Sequence, residues 1–65
     1  MTVREALEMT DDNTLVDICS STACMLNYAR TLLQLENTDN IAKAILNRNI
    51  TGIRKESDRR IFIDC

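Results

Sequence analysis

Apolar and polar residues alternate along this chain in short blocks of changing period, and each change of period marks an element. Thr2-Val-Arg-Glu5 has the form of a capping box, in which the threonine hydroxyl and the glutamate satisfy the first helical amides. Val3, Ala6 and Leu7 then fall on one face of a short helix, with Glu5 and Glu8 towards its favourable N-terminal half. Asp11-Asp12-Asn13 ends it, because short polar side chains compete for the backbone. From Thr14 to Cys19 the period drops to two: Val16 and Ile18 lie on one side, Leu15, Asp17 and Cys19 on the other, which predicts a half-buried strand.

Ser20-Ser21-Thr22 offers three N-caps, and the spacing predicts a helix from Thr22 to Glu36. At about 100° per residue, Cys24, Leu35, Tyr28, Leu32, Met25, Ala29, Leu33 and Leu26 cover roughly 200° of arc, twice what one small sheet can cover. The excess predicts a homo-oligomer, the simplest being a two-fold dimer with Met25, Tyr28, Leu32 and Leu35 at the subunit interface and Leu26, Ala29 and Leu33 in the core. Asn37 to Asn40 is a break, with Thr38 or Asp39 capping a third helix whose face is Ile41, Ala42, Ile45 and Leu46.

Two short extended runs close the chain, one around Ile50 and Ile53 and one at Ile61-Phe62-Ile63, with Lys55 to Arg60 as a charged hairpin tip. Gly52 in the first of these predicts a bulge or a close backbone approach. The element order is α-β-α-α-β-β. The expected fold is therefore α+β: one domain over residues 1–65, with a three-stranded sheet and helices packed on one face. The last strand, the most apolar, is expected in the centre and antiparallel to both neighbours. The alternative puts the hairpin at one edge, with the first strand beside the second.

Composition narrows the class. The chain has 65 residues, 45% of them hydrophobic and 28% charged, which suits a thin-cored globular domain and not a disordered one. No apolar run approaches the roughly 18 residues of a membrane span, and the first residues lack an apolar signal core, so a cytoplasmic protein is expected. The net charge of −2 divides unevenly: residues 1–40 carry seven acids and two bases, residues 41–65 six bases and three acids. Such a split marks either a binding face or two halves that attract each other.

Little in the chain suggests chemistry. With no His, no Trp and no glycine-rich phosphate loop, the usual general bases and nucleotide cradles are missing, and neither an enzyme nor a cofactor is expected. Cys19, Cys24 and Cys65 are too few and wrongly spaced for a zinc site, and their odd number makes a poor disulfide framework, so free thiols are expected. Cys24, near the expected helix start, is the one place where a thiol pKa would fall, but without a His partner it reads as a buried structural residue. Asp11 and Asp12 read as a solvated turn and not a metal loop, which needs more oxygen ligands and a glycine.

Two stretches resemble small accessory proteins of phages and prophages of Gram-positive bacteria. TVREALEMTDDNTLVDI is similar to their openings, a short helix of the TVKELLE kind followed by DDTxVxI, and ILNRNITGIRKESDRRIFIDC to their endings. The likeness covers about half the chain. Ser20 to Glu36 departs from the pattern by being more apolar. The resemblance implies a setting, an accessory protein in a host cytoplasm, and no functional residues.

The expected function is that of a small non-enzymatic protein that binds and modulates or inhibits a host protein, in a counter-defence or takeover role. Arg54, Lys55, Arg59 and Arg60 of the hairpin are the expected partner-binding residues. One alternative is a sponge for a small anionic signalling nucleotide, held by arginines at a subunit interface. Another is nucleic-acid binding through the same basic residues and Arg48. A sequence pI near 4.9 and only two aromatics oppose the latter.

Overall fold

The computed structural model describes residues 1–21 and 23–65. In chain order the elements are α1 (Val3–Glu8), β1 (Leu15–Cys19), β2 (Cys24–Tyr28), α2 (Ala29–Leu35), α3 (Asn40–Leu46), β3 (Gly52–Ser57) and β4 (Arg60–Asp64). The α+β class holds, but the sheet has four strands and is mixed, in the order β2-β1-β4-β3. Two antiparallel hairpins, β1–β2 and β3–β4, lie side by side and join through the parallel pair β1–β4.

The added strand is the main correction to the sequence reading. Cys24 to Tyr28 does not belong to a helix beginning at Thr22: it pairs with β1, Cys19 opposite Cys24 and Leu15 opposite Tyr28. Of the three expected N-caps, Ser20 instead closes the hairpin. Its amide and hydroxyl both donate to the Ala23 carbonyl (2.9 and 2.8 Å), and its hydroxyl accepts from the Ala23 amide at 3.0 Å. Thr22 lies outside the described residues. The extra strand also reverses the direction of the chain once more than expected. The last strand is central, as its apolar sequence requires, yet it runs parallel to β1 and antiparallel only to β3.

The roughly 200° apolar arc thus has a simple origin. It joins a strand, whose successive side chains point to opposite faces, to a helix of half the expected length. The true helix α2 buries Ala29 and Leu32. Its first amides need no side-chain cap, since Ala29 N–H donates to the Thr14 carbonyl (2.9 Å) and Arg30 N–H to the Asp12 carbonyl (3.3 Å).

Two helix caps and the apolar core hold as expected. The Thr2 hydroxyl accepts from the Glu5 amide at 3.3 Å, while the Glu5 carboxylate accepts from the Thr2 amide at 2.9 Å. Asp39 caps α3 by accepting from Ile41 and Ala42. Val16, Ile18 and Ile63 are fully buried beneath Val3 and Leu7 of α1, Leu32 of α2 and Leu46 of α3. Ile41 departs from its expected face and stands 64% exposed. Gly52 is neither a bulge nor a close approach, since a Cβ there would meet Asp64 at an ordinary 3.6 Å; the irregularity in the ladder falls between Lys55 and Ser57. The hairpin tip is tighter than expected too, because β3 runs on through Lys55 and Glu56 to Ser57.

All three helices cover one face of the sheet. The Arg4 guanidinium and the Glu36 carboxylate join the start of this layer to the end of α2, with Arg4 Nε donating to Glu36 Oε2 at 2.7 Å and a second, shorter contact from Arg4 Nη2 to Oε1. This pairing holds the Glu36 carboxyl below the usual carboxylate range. Glu5 is depressed as well, first by its hydrogen bond from the Thr2 amide. No helix among the described residues is long and apolar enough to cross a membrane.

Candidate functional site: the open face of the sheet

Among the described residues nothing packs on the other face of the sheet. The strand register places its side chains without ambiguity. β1 contributes Leu15, Asp17 and Cys19; opposite them β2 contributes Tyr28, Leu26 and Cys24, and β4 contributes Arg60, Phe62 and Asp64. β3 adds Arg54 beside Phe62. Both aromatic residues of the chain therefore sit on this one face. Leu26 and Tyr28 are 54% and 52% exposed, a high value for side chains of that size in a strand.

The face has two parts. On the β2 side, Leu15, Leu26 and Tyr28 make an apolar corner beside a strand with no charged residue. An edge strand of that kind lacks the charges that usually discourage pairing with another chain. On the β4–β3 side the surface is polar and internally matched. The guanidinium carbons of Arg54 and Arg60 both stand 5.2 Å from the centre of the Phe62 ring. Arg60 also reaches Asp17 (3.6 Å) and Glu56 (3.2 Å), although its Nε makes no aligned hydrogen bond; Arg54 lies 4.0 Å from Asp64. Two cations thus face three carboxylates, Asp17, Glu56 and Asp64, and the face carries a net −1.

The four basic residues expected to bind a partner do not form one patch. Arg54 and Arg60 share the open face, Lys55 is turned to the helix side at the sheet edge and pairs with Asp58 (3.2 Å), and Arg59 lies in the turn. The four residues expected at a dimer interface are dispersed as well. Tyr28 is on the open face, Met25 is on the helix side opposite Ile18, Leu32 is buried in the core and Leu35 packs half-buried against it. Leu32 offers no surface for pairing of helices between subunits, because its side chain is already used inside the domain. Leu15 and Phe62 were not singled out as site residues by the sequence reading, and Leu26, expected in the core with Ala29 and Leu33, stands on the open face because it belongs to a strand and not to a helix. Cys-Met-Leu-Asn-Tyr gave no clean signal for Leu26, because apolar residues fall on both faces of that strand, Met25 on one and Leu26 on the other.

Where Leu15, Tyr28 and Arg60 meet the loop before β1, a cleft of about 930 Å³ opens. Arg59 and Arg60 line it, but so do Asp11 and Asp58, and its charge sums to zero. At the opposite corner Cys19 and Cys24 stand side by side, with Cys24 Sγ 3.1 Å from Cys19 Sγ. The Cys19 thiol is pushed up to about 11, first by its hydrogen bond with Cys24, then by burial and by negative charge at Cys24 and Asp17. Cys24 is consequently neither buried nor at a helix start, as the sequence had suggested; it is an exposed strand residue. Among the described residues no three His, Cys, Asp or Glu side chains gather as a metal site. Compared with known proteins, the chain matches no family model, no curated protein and no solved structure.

Proposed function

We propose that the protein is a non-enzymatic interaction module that docks on another protein through the open face of its sheet. Leu26 and Tyr28 are the anchors, Leu15 and Phe62 the floor, and Arg54 and Arg60 the rim. The observation that carries this reading is the gathering of both aromatics and two exposed or half-exposed leucines on the uncovered side of four paired strands. Tyrosine and arginine around an apolar centre are the usual composition of interface hot spots. The resemblance of both chain ends to phage accessory proteins supports a host factor as the partner.

Electrostatics favour a protein over nucleic acid. A single strand needs cations to neutralise its phosphates and free ring faces for its bases. Here the face is net −1, and the Phe62 ring already carries two guanidinium groups. A nucleotide sponge at the neighbouring cleft meets the same difficulty, since Asp11 and Asp58 offset its two arginines. Size sets the expected strength. Four strands about 4.8 Å apart and five residues long present a plane of about 300 Å². A stable interface takes about 800 Å² per partner, so the face is an interface core that loops must extend.

Quantitative affinity capture from host lysate tests the reading with three baits: wild type, Leu26→Asp on the open face and Lys43→Glu on the exposed side of α3. Proteins retained by wild type and by Lys43→Glu but depleted about tenfold by Leu26→Asp are the expected result. Equal retention by all three baits would place the docking surface elsewhere. Light scattering on wild type identifies the case in which the partner is a second copy of the chain.

A further inference from the structure

Cys19 and Cys24 face each other directly across the β1–β2 hairpin, and the backbone between them has the geometry a cross-strand disulfide requires. In an antiparallel pair, opposed residues alternate between those that exchange hydrogen bonds and those that do not, and the latter stand closer, about 4.5 Å between Cα atoms. Two observations place Cys19 and Cys24 in the closer class. The next pair towards the turn, Ser20 and Ala23, is hydrogen-bonded through the backbone. The Cys19 carbonyl is turned the other way, accepting from the Cys65 amide at 2.9 Å. A Cα separation of that size lies within the disulfide range of about 4.4–6.8 Å. The sulfurs already touch at 3.1 Å, and both residues are exposed. Cys65, by contrast, is half-buried and packs against the core on the helix side of the sheet.

We propose that Cys19 and Cys24 form a reversible two-electron redox site on the protein surface, oxidised by low-molecular-weight disulfides and reduced by dithiols. One thiolate attacks a sulfur of the oxidant RS–SR, forms a mixed disulfide and expels the first RS⁻. The neighbouring cysteine sulfur then attacks the mixed disulfide, closes the Cys19–Cys24 bond and expels the second RS⁻. The two protons lost by the cysteines end on two RSH molecules, and the two electrons lost by the pair reduce the oxidant. Because the Cys19 thiol holds its proton through the neutral range, the reaction quickens as the pH rises.

The test is incubation of the full chain with oxidised glutathione, followed by alkylation and tryptic mapping. Cleavage after Arg4 and Arg30 leaves both thiols in one peptide, Glu5 to Arg30, while Cys65 falls in Ile61 to Cys65. The expected result is a Glu5–Arg30 peptide lighter by two hydrogens and closed to alkylation, an alkylated Cys65, and full reversal by a dithiol reductant. Cys19→Ser should instead stop at a glutathione adduct on Cys24, and Cys65→Ser should behave as wild type. Closure should also be at least about tenfold faster in the folded chain than in urea, because the fold holds the sulfurs together. Persistent glutathione adducts on both cysteines of wild type, a bridge to Cys65 or to a second chain, or equal rates in urea would each overturn the proposal.

Discussion

On the helix-covered face of the sheet, the central strands β1 and β4 offer Val16, Ile18, Ile61 and Ile63, all β-branched and all fully or largely buried. On the other face, the same two strands offer Leu15, Asp17, Cys19, Arg60, Phe62 and Asp64. The two sets interleave one residue at a time, so a register slip by a single position would exchange them. The covered face uses shape alone and explains why the chain folds. Both aromatics, the paired thiols and the carboxylate contacts of Arg54 and Arg60 lie on the open face, where they contribute little to the core. The two edges differ in the same way: β3 carries Arg54, Lys55 and Glu56, whereas β2 is free of charge. The apolar corner beside β2 is therefore the least protected part of the molecule.

The strongest test of this division compares one residue from each face of the β1–β2 hairpin. Ile18→Ala empties a fully buried site and is expected to destabilise by about 2–5 kcal/mol in urea unfolding. A chain of 65 residues has only about 3–10 kcal/mol in all, so this variant should stand near its unfolding limit. Leu26→Ala, on the open face, should change stability by less than about 0.5 kcal/mol while weakening partner capture. A Leu26→Ala loss as large as that of Ile18→Ala would mean that something, most simply a second copy, covers the open face in solution.

A smaller effect is expected at Phe62, where the two faces of the comparison meet in one strand. Phe62→Leu keeps bulk and removes the ring on which two guanidinium groups rest. Each such contact at an exposed site is worth about 0.5–1 kcal/mol, so a loss of about 1–2 kcal/mol is the upper expectation. A double-mutant cycle with Arg54→Gln isolates one contact. A coupling near zero would show that Arg54 is held by Asp64 alone, and would leave Arg54 free to turn towards a partner.

How far the sequence foretold this arrangement follows from the same two faces. Val16 and Ile18 against Asp17 is a clean alternation, and the strand, its inward residues and its outward Leu15 and Cys19 were all legible. So were the Thr2–Glu5 box and the Asp39 cap, because short polar side chains bond to amides two or three residues away. In β2 both faces are mixed: Met25 and Asn27 point to the helices, Cys24, Leu26 and Tyr28 away. No alternation of polarity survives there, and a strand followed directly by a helix imitates one long, unusually apolar helix. The error propagated to the strand count, the direction of β4, the dimer helix and the setting of Cys24. The open face depended on that strand and was not legible without it. The basic hairpin divides for a different reason: adjacent residues in a strand point apart, so Arg54 and Lys55 lie on opposite faces of the sheet.

The smallest expected effect concerns the helix layer and pH. Arg4 binds Glu36 through a two-pronged contact, and this pairing lowers the Glu36 carboxyl below its ordinary value. An unfolded glutamate titrates near pH 4.3. A carboxyl depressed in the folded state contributes stability that is fully present above the unfolded value and lost as the pH falls through the folded one. The melting temperature should therefore decline on acidification below about pH 5, with Glu5, depressed by the Thr2 amide, adding in the same direction. Glu36→Gln removes one of the two contributions. It should melt lower than wild type at pH 7, and the difference should narrow as the pH falls and the wild-type carboxyl takes up its proton. An unchanging difference from pH 7 to pH 3 would show that Glu36 acts through packing and not through charge. The Leu26→Ala variant is the control, since it removes no titrating group and its acid profile should run parallel to that of wild type.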